Sequence, residues 1–277
     1  MSDQASAKEL AYLQDLFIAP DWGERFAELI DEHVVLPESG RALYLGIGTG
    51  GHAIALTERA GSDVTFWCVD ESDDCLELAR TKAASMKATA TFQAGNVEAL
   101  DFPDEHFDLV VGDASLLLPR RFPAALSEMV RVAINGGTVA LVLPTASSFG
   151  EFFSIYWEAL HGVGLVEREG EVESLITELP AISDVEEMAV REGLEDVSSW
   201  TRIEEFDYDS GEEFLKSPLI AHFLMQGWLL SIPEASRTSV SEAIVGLINE
   251  ERHRGQFSLT VKATLVSGKK AGLPLVC

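Results

Sequence analysis

The chain has 277 residues, 47% of them apolar, which is enough for one elaborated domain or two small ones and too apolar for a disordered chain. Its formal net charge of −26 argues against nucleic acid and anionic membrane surfaces, both of which are bound through Lys and Arg. No apolar run approaches the ~18 residues of a membrane span, and Met1–Glu9 carries neither a basic nor an apolar leader segment, so a signal peptide is not expected.

Residues 1–40 read as two helices. Phe26, Leu29, Ile30 and Val34 fall at helical spacing, and Pro37-Glu38-Ser39-Gly40 breaks the chain after them. Strands and helices then alternate. Strands are expected over 41–46, 64–69, 89–93, 107–112 and 137–143, with helices over about 50–60, 72–87 and 121–134. Such alternation implies a parallel sheet with helices on both faces. Right-handed crossovers bring the C-terminal ends of the strands to one edge, where ligands bind. After Pro144 come an aromatic-rich helix over 150–163, a short helix over 183–193 and a long strand over 197–208. A helical insert over about 211–253 and a last strand over 257–266 complete the chain. The insert reads as a lid on one domain, not a second domain. The three cysteines, Cys68, Cys75 and Cys277, and six scattered histidines show no disulfide framework or metal-ligand spacing. This pattern fits a reducing cytoplasm with no bound metal.

The most informative stretch is Gly46-Ile47-Gly48-Thr49-Gly50-Gly51. It joins the apolar run Ala42–Leu45 to a helix-like segment, and so forms the mouth of a nucleotide-binding α/β unit. Glycine suits that turn because it adopts positive φ cheaply and lets a ligand approach the backbone. Asp70 closes the next apolar run, where an acid about 20 residues past the glycines holds a ribose hydroxyl pair. Asp70 is alternatively a helix N-cap at the Asp70-Glu71-Ser72-Asp73 turn.

With these pieces in place, the chain resembles the class I S-adenosylmethionine-dependent methyltransferases. Leu45–Gly50 is similar to the first motif of that family and Asp70 to the acid after its second strand. Phe92–Leu100 is similar to the third-strand turn, Phe107–Asp113 to the fourth strand, and Glu128–Gly137 to the helix and turn before the fifth. The resemblance implies a doubly wound, mostly parallel seven-stranded sheet. Strand 257–266 would run antiparallel as the last strand, over a methyltransferase domain spanning 41–277. It implies S-adenosyl-L-methionine as cofactor, with Gly46, Gly48, Thr49 and Gly50 around its methionine part and sugar. Asp70 would hold the ribose hydroxyls, with Glu71 beside it, Asn96 and Val97 would flank the adenine, and Gly112 would lie under the methyl. Two positions depart from the pattern. Tyr44 stands where the first motif usually carries an acid, which removes a negative charge near the cofactor's amino group. Asn96 stands where Asp is common, and its amide oxygen still accepts a hydrogen bond.

Methyl transfer from a sulfonium needs alignment and exclusion of water, and a base only when the acceptor must lose a proton. Candidates are Asp113 after the fourth strand, Tyr156 on the aromatic helix and His161 at its end. Phe149, Phe152, Phe153 and Trp157 either stack on an acceptor or pack the core. The apolar segment 219–230, with His222, either roofs the pocket, forms a homodimer surface or is buried. The acceptor is expected between the strand edge, helix 150–163 and the insert 211–253, as an uncharged or cationic small molecule. Gly46, Gly48 and Gly51 also satisfy the dinucleotide pattern of NAD-dependent oxidoreductases, and a non-catalytic binding module is a further alternative.

Overall fold

The computed structural model describes residues 5–251 and 257–272; His253, Cys277 and the last residues of the insert expected over 211–253 lie outside these. The N-terminal segment is helical from Ala7 to His33. Helix α1 (Ala7–Leu13) is started by a capping box in which the Ser6 side chain accepts from the Glu9 amide and Glu9 accepts from the Ser6 amide. A π-helical stretch, Gln14–Gly23, absorbs Pro20, and α2 (Glu24–His33) follows. Wide π turns are rare and concentrate where a helix serves a site. The sequence reading found the helical period here but not this widened middle.

The β-branched and aromatic runs form β1 (Ser39–Leu45), β2 (Asp63–Asp70), β3 (Ala90–Ala94), β4 (Phe107–Asp113) and β5 (Ala133–Pro144). Later come β6 (Leu194–Tyr208) and β7 (Phe257–Lys270). The seven strands lie in the order β3-β2-β1-β4-β5-β7-β6, with the first five parallel and the last strand antiparallel. This is the sheet expected from the sequence. Strand β5 starts earlier than expected, at Ala133 instead of 137. Phe107 pairs with Ala133 and Leu109 with Thr138, so a bulge absorbs the Asn135-Gly136-Gly137 turn inside the strand. Leu45 pairs with Val69 on one side and Gly112 on the other, so the loops after β1, β2 and β4 leave one edge together.

Helices α3 (Gly51–Arg59), α4 (Asp73–Met86) and α5 (Phe122–Val132) connect the parallel strands. Phe122, Leu126 and Met129 of α5 are buried at helical spacing against Val110, Val139 and Leu141 of the sheet. Gly112 makes room for this packing, since a Cβ there would lie 2.9 Å from the Met129 sulfur. Helix α8 (Ile182–Arg191) joins the same core through Val185 and Ala189. These elements form one compact unit, made of the chain up to Leu143 with Ile182–Thr201 and the stretch from Thr264.

Pro144–Ala181 and Arg202–Ala263 form the other compact unit. It holds α6 (Gly150–Gly162), α7 (Glu169–Glu178), α9 (Gly211–Lys216), α10 (Met225–Trp228) and α11 (Glu234–Glu251). Its core is aromatic: Phe152 stacks on Trp228 at 4.2 Å between centroids and on Tyr156 at 5.7 Å, and Phe149 and Phe153 meet Trp228 edge-on. The Tyr156 hydroxyl donates to the Trp228 carbonyl at 3.1 Å. Tyr156→Phe leaves that buried carbonyl without this donor and is expected to cost about 1 kcal/mol of stability in denaturant titration. Among the described residues no helix is long and apolar enough to cross a membrane.

Candidate active site

A cavity of about 680 Å³ opens at the edge where β1, β2 and β4 end, and every residue lining it belongs to the first unit. Its size falls within the usual range for small-molecule sites. The floor is the glycine loop. Gly46 has φ +70° and its amide donates to the Val69 carbonyl at 2.9 Å. A Cβ on Gly46 would sit 2.3 Å from the backbone oxygen of Asp113, so the ends of β1 and β4 approach this closely only through glycine. Gly48, at φ +52°, points its Cα at Gln14, whose amide nitrogen would be 2.5 Å from an added Cβ.

Asp70 binds this loop. One carboxylate oxygen accepts from the Gly48 amide at 2.7 Å and the other from the Ser72 amide at 2.9 Å. Burial pushes its carboxyl above the ordinary range, while the two N–H bonds pull it back. The N-cap of α4 is Ser72, not Asp70, since the Ser72 hydroxyl accepts from the Cys75 amide. Each carboxylate oxygen of Asp70 retains a further lone pair for a ligand hydroxyl.

Glu71 is bound by Arg121, with Nη1 at 3.0 Å, and its carboxyl is held below its usual range by that bond. Arg121 also holds Glu98 at 2.6 Å and reaches the Asn96 amide oxygen at 3.3 Å. The Asn96 oxygen also accepts from the Glu98 amide, so it orders its own turn. Val97 is buried and lines the cavity.

On the opposite side of the loop, Asp113 closes β4. One oxygen accepts from the Ser115 amide at 2.8 Å, and burial pushes its carboxyl upward. A carboxyl with a raised folded-state pKa binds its proton more tightly folded than unfolded. Its contribution therefore favours folding at low pH and is lost as the pH rises through the folded value. Asp113→Asn keeps an acceptor for Ser115 and removes the buried charge. The expected result is a higher melting temperature in the ligand-free protein, with a larger gain at pH 8 than at pH 4.

The roof is the N-terminal segment. The Thr49 hydroxyl donates to Asp15 at 2.6 Å, and Lys82 from α4 pairs with the same carboxylate. Gln14 accepts from the Cys75 thiol, while Ile18, Trp22 and Ala27 supply apolar surface. Seven carboxylates line the cavity against two cationic side chains, Lys82 and Arg121, each already paired.

The cavity thus gathers Gly46, Gly48, Thr49, Asp70, Glu71, Val97, Gly112 and Asp113 from the residues singled out in the sequence. Gly50 and Asn96 stand just outside the lining. Tyr156 is packed in the core of the second unit, as are Phe149, Phe152 and Phe153. His161 is exposed at the end of α6 against Trp157. The aromatic helix therefore supplies core packing. In the segment 219–230, Leu219, Ile220, Met225 and Trp228 are buried. The sequence reading missed Gln14, Asp15, Asp31, His52 and Arg121. Their positions on helices report exposure and period, not which loop they face.

The seven-stranded sheet, its first five strands parallel and its last antiparallel, with this glycine loop and closing acid is the class I S-adenosylmethionine-dependent methyltransferase fold. Residues 42–137 match the family model of the methyltransferase domain. The demethylmenaquinone methyltransferase of Deinococcus radiodurans is 33% identical over 121 residues, 43% of this chain and 50% of that protein. The chain spans about half the length of the curated relatives first matched. The YcgJ protein of Bacillus subtilis shares the fold at TM-score 0.59 and 19% identity, covering 90% of this chain and 100% of that one. The phosphoethanolamine N-methyltransferase 2 of Haemonchus contortus, solved with S-adenosylhomocysteine, shares it at TM-score 0.57 and 15% identity, covering 98% and 59%.

Proposed function

We propose that the protein binds S-adenosylmethionine in this cavity and transfers its methyl group to a small organic acceptor. The observation that carries the reading is the joining of Asp70 to the Gly48 amide. It sets a carboxylate with spare lone pairs directly beside a loop that only glycines can form. The loop residues Gly46, Gly48, Thr49 and Gly50 take the methionine part and sugar, Asp70 with Glu71 the ribose side, and Val97 with the Asn96 turn the adenine. When bound, the sulfonium supplies an activated methyl. The chain's own work is to align it over Gly112 and keep water out beneath the N-terminal roof. Asp113 orients a protic acceptor or takes its proton.

The acceptor is uncharged or cationic, because the lining carries five more carboxylates than cationic side chains. The similarity to demethylmenaquinone methyltransferases is confined to about half of each chain, so we carry over methyl transfer and not the quinol. The buried free thiols of Cys68 and Cys75 suit a cytoplasmic protein. The test is transfer of labelled methyl from S-adenosylmethionine to a panel of phenols, quinols, amines and carboxylates. Label is expected in a phenol, quinol or amine, and label found only in carboxylates contradicts the acceptor class.

A further inference from the structure

A hydrogen-bonded cluster of three side chains lies in the cavity wall. The hydroxyl of Tyr44, near the end of β1, lies 2.8 Å from His52 Nδ1 in the first turn of α3. His52 Nε2 lies 2.9 Å from Asp31 on α2, and Asp31 is also paired with Arg59. Tyr44, His52 and Asp31 all line the cavity.

With His52 neutral, these bonds run in one direction. An ionised carboxylate only accepts, which assigns the His52 proton to Nε2, donating to Asp31. Nδ1 is then bare and accepts the Tyr44 proton. With its proton committed, the phenol oxygen offers the cavity lone pairs alone, and the linked bonds polarise one another. A solitary tyrosine can turn its O–H towards a ligand; this one is held as an acceptor. Asp113, two residues past the Val111 that pairs with Tyr44, lines the same cavity. Strand β1 lies between β2, which Asp70 closes, and β4, which Asp113 closes. A ligand whose ribose is held at Asp70 therefore extends across β1 towards Tyr44 and Asp113.

We infer that Asp31, His52 and Tyr44 form a recognition relay that seats the ammonium group of an adenosyl ligand's amino-acid arm. The relay rests on the proposed cofactor class. It answers the departure at Tyr44: the acid missing from β1 is replaced by a neutral oxygen locked as an acceptor, with its orienting carboxylate supplied from α2. Tyr44 touches the ligand, while His52 and Asp31 are positioning residues.

Two probes isolate this contact in calorimetric titration. S-adenosylhomocysteine carries the amino-acid arm, and 5′-methylthioadenosine keeps the adenosyl thioether without it. Tyr44→Phe is expected to weaken S-adenosylhomocysteine by roughly 10-fold or more, the scale of a lost hydrogen bond to a charged group, and to change methylthioadenosine by less than about twofold. Asp31→Ala gives a smaller loss with the same selectivity. His52→Gln, whose amide accepts from Tyr44 and donates to Asp31, retains binding. Equal losses for both probes, or unchanged S-adenosylhomocysteine binding in a folded Tyr44→Phe protein, overturn the relay. Should Tyr44→Phe fail to fold, the half-exposed Asp31 variant decides by the same ratio. A wild type that binds neither probe removes the adenosyl-ligand reading and the relay with it. Wild-type binding of both, without selectivity in the variants, removes the relay alone.

Discussion

Asp70→Ala is expected to weaken S-adenosylmethionine binding by about 1.5–3 kcal/mol, roughly 10- to 150-fold, the value of hydrogen bonds to a charged group. The carboxylate has two tasks. In the proposed site it presents lone pairs to the ribose, and it accepts the Gly48 and Ser72 amides at 2.7 and 2.9 Å. Removing it leaves the loop amide of Gly48 without its acceptor, so the loop loses its anchor along with the ligand contact. Asp70→Asn separates the two tasks. The amide oxygen still accepts one backbone N–H, so the loop is largely kept, while the charge that strengthens the ribose bonds is lost. Calorimetry should therefore place Asn between wild type and Ala. Equal affinity for all three proteins would show that Asp70 orders the loop without touching a ligand.

Gly46→Ala is expected to be strongly damaging. The residue sits at φ +70°, which costs a residue bearing a Cβ about 1–2 kcal/mol. The new Cβ would also press within 2.3 Å of the Asp113 carbonyl, a backbone atom that yields only if β4 moves away from β1. Overpacking of that kind costs a further ~1–3 kcal/mol. The total, about 2–5 kcal/mol, should appear as a lower denaturant midpoint with an unchanged slope. Ligand binding should fall as well, since parting β1 from β4 opens the cavity floor. At Gly136 the contrast is informative. Its φ is +79° but an added Cβ meets nothing within 4 Å, so Gly136→Ala should lose only the conformational part.

The cavity floor was legible in the sequence and its roof was not, for a physical reason. Strand, glycine turn and helix write themselves locally: Ala42–Leu45 is apolar, Gly46 and Gly48 answer a backbone need, and Asp70 ends a β-branched run. The order of these pieces then implied the parallel sheet and the antiparallel β7. The roof depends on distant pairings. Asp15 reaches Thr49 and Lys82, separated from it by 34 and 67 positions, and nothing in the helical period of residues 7–33 says which loop they cover. Nor does the sequence mark the π-helical stretch that carries the chain through Pro20. Helix α7 was missed although Val172, Leu175, Ile176 and Leu179 fall at helical spacing, a period that was there to be found. Tyr44 was read as the loss of an acid; its partner His52 lies eight residues on, across a turn, and their bond exists only once the loop has folded. The aromatic helix was left open between acceptor wall and core packing because rings at helical spacing look alike whether they face a ligand or a core. In the structure its rings are matched by Trp228 and Phe214.

Every role proposed for this chain depends on the cavity beneath residues 14–31 being an adenosyl-sulfonium site. Calorimetric titration of the wild-type protein with S-adenosylhomocysteine and, separately, with NAD tests it directly. Saturable binding of S-adenosylhomocysteine at one site per chain is expected, and none of NAD. The glycine loop lies over Asp70 and beneath the N-terminal roof, with no pair of unpaired cations in the cavity lining for a pyrophosphate. Binding of NAD, or no binding of S-adenosylhomocysteine by folded protein, would contradict it.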